Sequence, residues 1–167
     1  MTRIAQAFDD VRAAEAELAD ELRTVGERHA ADADVYHVAQ LLALRCSYQL
    51  ELLAPHAARY GAGARADLGQ PSALLERVRR AGSELLGREE ASGPLLLSDL
   101  RGLYVVAHRA ELAWVVLLQV ARAARDQELV EAATQGRAEA ERRWKWVRTK
   151  VKEATPQVLV AGAVAQG

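Results

Sequence analysis

The feature that most constrains this chain is a spacing. Ile4, Phe8, Val11, Glu15, Leu18, Leu22, Val25 and His29 follow one another in alternating steps of four and three. Side chains so spaced share one face of an α-helix and cannot share one face of a strand. The flanks between them are charged, as in a helix that packs on one side only. The spacing predicts a first helix from about Thr2 to Ala30, with Asp32 or Asp34 capping the next one.

Three more long segments follow the same rule. The second runs from about Val35 to Tyr60 and admits two inward stripes. One is Val35, Val38, Leu42, Arg45, Gln49, Leu52 and His56; the drier one is Val35, Ala39, Leu42, Cys46, Leu50 and Leu53. Pro55 is expected to kink this helix or end its regular part near Ala54. Residues 61–97 form a long connection with Gly69, Pro71, Gly93 and Pro94, holding a short helix from Ser72 to Leu86. The third long helix starts at Ser98 or Asp99 and reaches about Arg125, with Leu103, Ala107, Ala110, Trp114, Leu117, Ala121 and Ala124 in register. Val105, Val106, Val115, Val116 and Leu118 lie outside that stripe, so this helix is apolar nearly all round and should be central or covered. The fourth runs from about Asp126 to Ala154 on Val130, Ala133, Arg137, Ala140, Trp144, Val147, Val151 and Ala154. Thr155-Pro156 ends it. Residues 1–156 thus read as one bundle domain and 157–167 as a small apolar tail.

Composition agrees. Ala supplies 34 of 167 residues and Pro only 4, a helical balance. The single cysteine, Cys46, excludes an internal disulfide and a cysteine-built metal site. The net charge of −1 hides an asymmetry: residues 1–34 hold nine acidic and four basic side chains, and residues 137–152 hold seven basic and two acidic. Two such helices attract each other as neighbours; apart, they leave a basic face. The most apolar stretch, Leu103 to Val120, contains His108, Arg109 and Glu111, which argues against a transmembrane segment. With no secretory signal visible at the N-terminus, the expected compartment is the cytoplasm.

Two short connections and one long one give an all-α, up-down-down-up four-helix bundle with a helix in the crossover. With Glu15-Ala-Glu17 on the first helix, His108-Arg-Ala-Glu111 to Trp114 on the third and the run from Ala123 to Leu129, the pattern resembles the ferritin-like superfamily. That resemblance implies iron or manganese held in the core. One Glu would come from each of two helices and a Glu-x-x-His pair from each of the others. Glu15 matches the first carboxylate, and Glu111 and His108 are the remaining candidates. The pairs are missing: no Glu-x-x-His occurs anywhere, and the fourth helix has no histidine.

Glu15 therefore needs another partner, because an unpaired buried carboxylate costs several kcal/mol. Arg45 on the second helix and Arg137 or Arg143 on the fourth are the candidates, with Glu111 in the same polar network. The expected function is non-catalytic: a bundle acting through protein–protein contacts, as a homodimer or with a protein partner, through the third helix or Trp146. No cofactor is expected on this reading. The rivals are a divergent metal-binding oxidase or iron-handling protein, and a binder of anionic partners through Arg142, Trp146 and Lys150 on the fourth helix. The overall charge makes nucleic acid the weakest partner class.

Overall fold

The computed structural model describes residues 3–62 and 93–161. These form four long helices: α1 (Arg3–Arg28), α2 (Ala33–Arg59), α3 (Gly93–Ala124) and α4 (Gln127–Pro156). A π-helical turn, Gln157–Ala161, continues α4. The short helix expected over Ser72 to Leu86 lies outside the described residues, as does the end of the tail.

Local chemistry sets the two tight turns. Asp32 caps α2 by accepting from the Val35 N–H, and Asp126 caps α4 by accepting from the Leu129 N–H. Between α3 and α4, Arg125 takes a left-handed φ of 55°, which lets the Asp126 N–H return to the Ala121 carbonyl. Asp126 also accepts from the Tyr60 hydroxyl at 2.8 Å and from Arg59 at 3.0 Å, which ties this turn to the end of α2.

Cross-helix pairs give the topology. Arg28 meets Asp99 and Glu17 meets Arg109, so α1 and α3 run antiparallel. Lys150 meets Asp34, and Arg59 meets Glu128, so α2 and α4 do too. With short turns joining α1 to α2 and α3 to α4, the order is up-down-down-up. Of the two arrangements open to the acidic and basic helices, the bundle adopts the second: α1 and α4 are not neighbours but face each other across the diagonal. Apart from Arg143, which pairs with Glu15 of α1, and Arg137, which approaches Glu111 of α3, the paired basic residues of α4 find their acids on α2 and on α4 itself.

The first stripe is realised: Phe8, Val11, Glu15, Leu18, Leu22, Val25 and His29 are all buried, with Ile4 half-buried at the end. On α2 the drier stripe faces in, through Val35, Ala39, Leu42, Cys46 and Leu53. Two expectations about ends are corrected. The helix continues through Pro55 to Arg59, because Pro55 lies within its last turn and a half. α3 starts at Gly93, about a turn before Ser98, since Leu97 and Leu100 already pack inward. α3 is long and apolar enough by composition to pass as a membrane span, but its Leu103-to-Ala121 stripe is the wall of this core.

The fourth helix is rotated by one position from the expected stripe. Its buried residues are Leu129, Ala133, Gly136, Ala140, Arg143, Val147 and Ala154. Val130, Arg137 and Trp144 move to the half-buried flank.

The core has two apolar halves. One gathers Leu18 to Val25, Val35 to Cys46, Leu97 to Ala110 and the end of α4. The other gathers Ala5 to Val11, Leu53 to Ala62, Trp114 to Ala121 and the start of α4. Glu15 and Arg143, buried and charged, lie between them.

Candidate functional site: a buried carboxylate–guanidinium centre

Each helix sends one side chain to the mid-level of the bundle. Glu15 from α1 is fully buried. Arg143 from α4 donates to it through both terminal nitrogens, at 2.7 Å to Oε2 and 2.6 Å to Oε1. Trp114 from α3 donates its indole N–H to Oε1 at 2.6 Å. Cys46 from α2 accepts from Arg143 at 2.9 Å. The paired charges and planar fork are the geometry in which a guanidinium and a carboxylate bind most strongly.

The local sequence makes room for this centre. The Trp114 indole lies against Gly136 so closely that a Cβ there would fall inside the ring's van der Waals surface. Glycine at 136 is thus what lets a tryptophan reach the centre, and Trp114 in turn closes the carboxylate. Burial pushes the Cys46 thiol up to about 12, with Arg143 opposing and Glu15 reinforcing the shift. A thiol so held is neutral and inert at physiological pH.

The arrangement does not fit a metal. Both Glu15 oxygens are taken by cationic or N–H donors, and a guanidinium occupies the position facing them. Among the described residues no group of three or more His, Cys, Asp or Glu side chains stands where it would hold an ion. His108 and Glu111 are not with Glu15. They sit half-buried on the α3–α4 flank, 3.8 Å apart, and Arg137 approaches Glu111 at 3.9 Å. His108 stacks on Trp144 at 4.6 Å and meets Tyr104 edge-on.

The sequence had Glu15, Arg45, Glu111, Arg137 and Arg143 as one buried network; Glu15 and Arg143 alone form it. Arg45 is exposed and reaches Glu139 at 3.4 Å, because the drier stripe of α2 faces in. Arg137 is left on the flank by the rotation of α4, and Glu111 because α3 turns Leu103, Ala107, Ala110 and Trp114 inward. Trp114 and Cys46 went unassigned, although a tryptophan in mid-stripe needs an acceptor for its N–H.

The proposed surface set on α4 is also tied down. Arg142 pairs with Glu139, and Lys150 pairs with Asp34 and Glu153. Trp146 packs half-buried against the first apolar half of the core. His29, the last residue of the α1 stripe, is buried and shares the Asp99 carboxylate with Arg28, at 2.8 and 2.9 Å. That bond pins the α1–α2 turn to the first turns of α3.

No family model matches the chain, and no curated protein and no solved structure matches it.

Proposed function

We propose that this chain is a non-catalytic, ferritin-like bundle that acts through protein–protein contacts. Arginine holds its central carboxylate where metal-bearing bundles of this layout hold ions. The observation that carries the reading is the Glu15–Arg143–Trp114 arrangement, which uses both carboxylate oxygens internally. Its chemistry is that of a fixed, charge-neutral, solvent-free pair, suited to setting helix register and unsuited to turnover.

The surface supports the second half of the reading. Leu41, Leu44, Tyr48 and Leu52 form an exposed row along α2, and Val105, Leu112 and Val116 form another along α3. Rows of this kind fit the apolar face of a partner helix. We put forward a second copy of this chain as that partner, in the cytoplasm. An anionic partner is less well supported, since Arg142 and Lys150 have acidic partners of their own.

The test is metal analysis of the purified protein, iron(II) titration, and mass by light scattering. The expected result is no stoichiometric metal, no iron oxidation, and a dimer weakened by Leu44→Glu or Leu112→Glu. Tightly bound metal in whole-number ratio, lost in Glu15→Ala, overturns the reading of the core. A strict monomer at about 100 μM overturns self-association.

A further inference from the structure

α2 and α4 are the least closely packed of the neighbouring helix pairs. Their seam opens beside the central ion pair into a cleft of about 390 Å³. That lies within the range of small-molecule pockets, roughly 300–1,000 Å³. Leu52 and Leu53 line one wall and Trp114 the floor.

Two polar features mark it as more than a packing defect. At the inner end Gln49 is only 5% exposed, and its carboxamide has no hydrogen-bond partner among the described residues. The carboxamide meets the solvent of the cleft, so a bound group able to donate and accept would take the place of water on it. At the mouth stand the carboxylates of Glu128 and Glu131. Arg59 neutralises Glu128 from the side at 2.8 Å. Glu131 accepts from the neutral Gln127 carboxamide and has no basic partner among the described residues. Gln135 also lines the cleft, and His56, bonded to Arg59 at 2.9 Å, stands across the mouth from the glutamates. The cleft therefore has a polar neutral end, an apolar middle and a mouth at which Glu131 is the carboxylate without a basic partner among the described residues.

We propose that this cleft binds a small amphipathic ammonium ion, with a flat apolar body between the cationic end and a hydroxyl. The hydroxyl meets Gln49, the body lies along Leu52, Leu53 and Trp114, and the ammonium meets Glu131 and Glu128. Because Trp114 is both the floor of the cleft and a donor to Glu15, occupancy is sensed at the central ion pair.

The probe is tyramine, titrated into the full chain and followed by the NMR signals of the Gln49 carboxamide and the Trp114 indole N–H. Saturable shifts of both are expected, with Kd below about 1 mM. The pair of substitutions Glu128→Gln and Glu131→Gln, both on exposed side chains, should weaken binding about tenfold. Gln49→Leu should weaken tyramine about tenfold yet leave phenethylamine, which lacks the hydroxyl, unchanged or tighter. The folded state of each variant is checked by circular dichroism. Absence of saturable shifts, or equal binding of 3-(4-hydroxyphenyl)propionate, overturns the proposal. So does indifference of tyramine to the Gln49 and glutamate changes in folded variants.

Discussion

Replacing Arg143 with Met separates the central ion pair in a way the structure makes quantitative. Arg143 is 1% exposed and Glu15 not at all. Without the guanidinium, the carboxylate keeps one donor, the Trp114 indole. Removing one partner of a buried pair costs about 3–5 kcal/mol. Of a total stability of roughly 5–15 kcal/mol, that is a third or more in the middle of the range.

The double variant Glu15→Leu with Arg143→Met removes both charges and leaves only the Trp114 N–H unpaired, at about 1–3 kcal/mol. Better apolar packing offsets part of this, so the double variant should lie within about 2 kcal/mol of wild type. Urea denaturation of the four species, by tryptophan fluorescence and circular dichroism, measures the cycle. A single-variant cost below about 1 kcal/mol, the range of exposed pairs, would refute the reasoning. So would single costs that simply add in the double variant.

Two further outcomes follow from neighbouring contacts. Gly136→Ala drives a methyl into an indole already held by Glu15, so it should cost about 3 kcal/mol, the upper end for overpacking, and blue- or red-shift Trp114 emission in urea melts. The capped turn at Asp126 sets a pH window. The Leu129 N–H, and then the Tyr60 hydroxyl and Arg59, hold the Asp126 carboxyl below the ordinary range, while its hydrogen bond to Asp126 raises the Tyr60 phenol. The stability from Asp126 is present above about pH 4 and lost as pH falls through its lowered value; that from Tyr60 is present below about pH 10 and lost as pH rises through its raised value. Asp126→Asn and Tyr60→Phe should flatten the acid and alkaline limbs of a melting-temperature profile, and unchanged limbs would exclude this source.

How far the sequence carries depends on how one-sided each helix is. α1 has charged flanks, so one stripe was available and Phe8 to His29 were read residue by residue. α3 was equally legible on its inner face, from Leu103 to Ala121, because its smallest side chains mark the close approaches. α4 was misread by one position. The stripe through Val130, Arg137 and Trp144 shares Ala133, Ala140 and Val147 with the true one through Leu129, Gly136 and Arg143. Hydrophobicity favours the first, since each stripe carries one arginine and the first adds a tryptophan where the second adds a glycine. The crossover gave no such test, because its predicted helix falls outside the described residues.

Volume, taken level by level, decides between the two stripes of α4. The expected stripe brings Arg137 and Trp144 inward against a layer already holding Trp114, the largest fully buried side chain of the described core. Interiors are packed too tightly to admit both. The alternative sets Gly136 against that indole and, two turns on, puts Arg143 at the level of Glu15. A carboxylate interrupting an apolar stripe demands a counter-charge at its own level, and a tryptophan in mid-stripe demands an acceptor. Only the rotation through Gly136 meets both demands at once. The same centre then opposes slippage. A shift of one turn along α1 or α4 would carry Glu15 or Arg143 into an apolar half of the core, at the cost of a buried unpaired charge. Register in this bundle is held by its polar layer, and the apolar halves on either side supply the bulk of the burial.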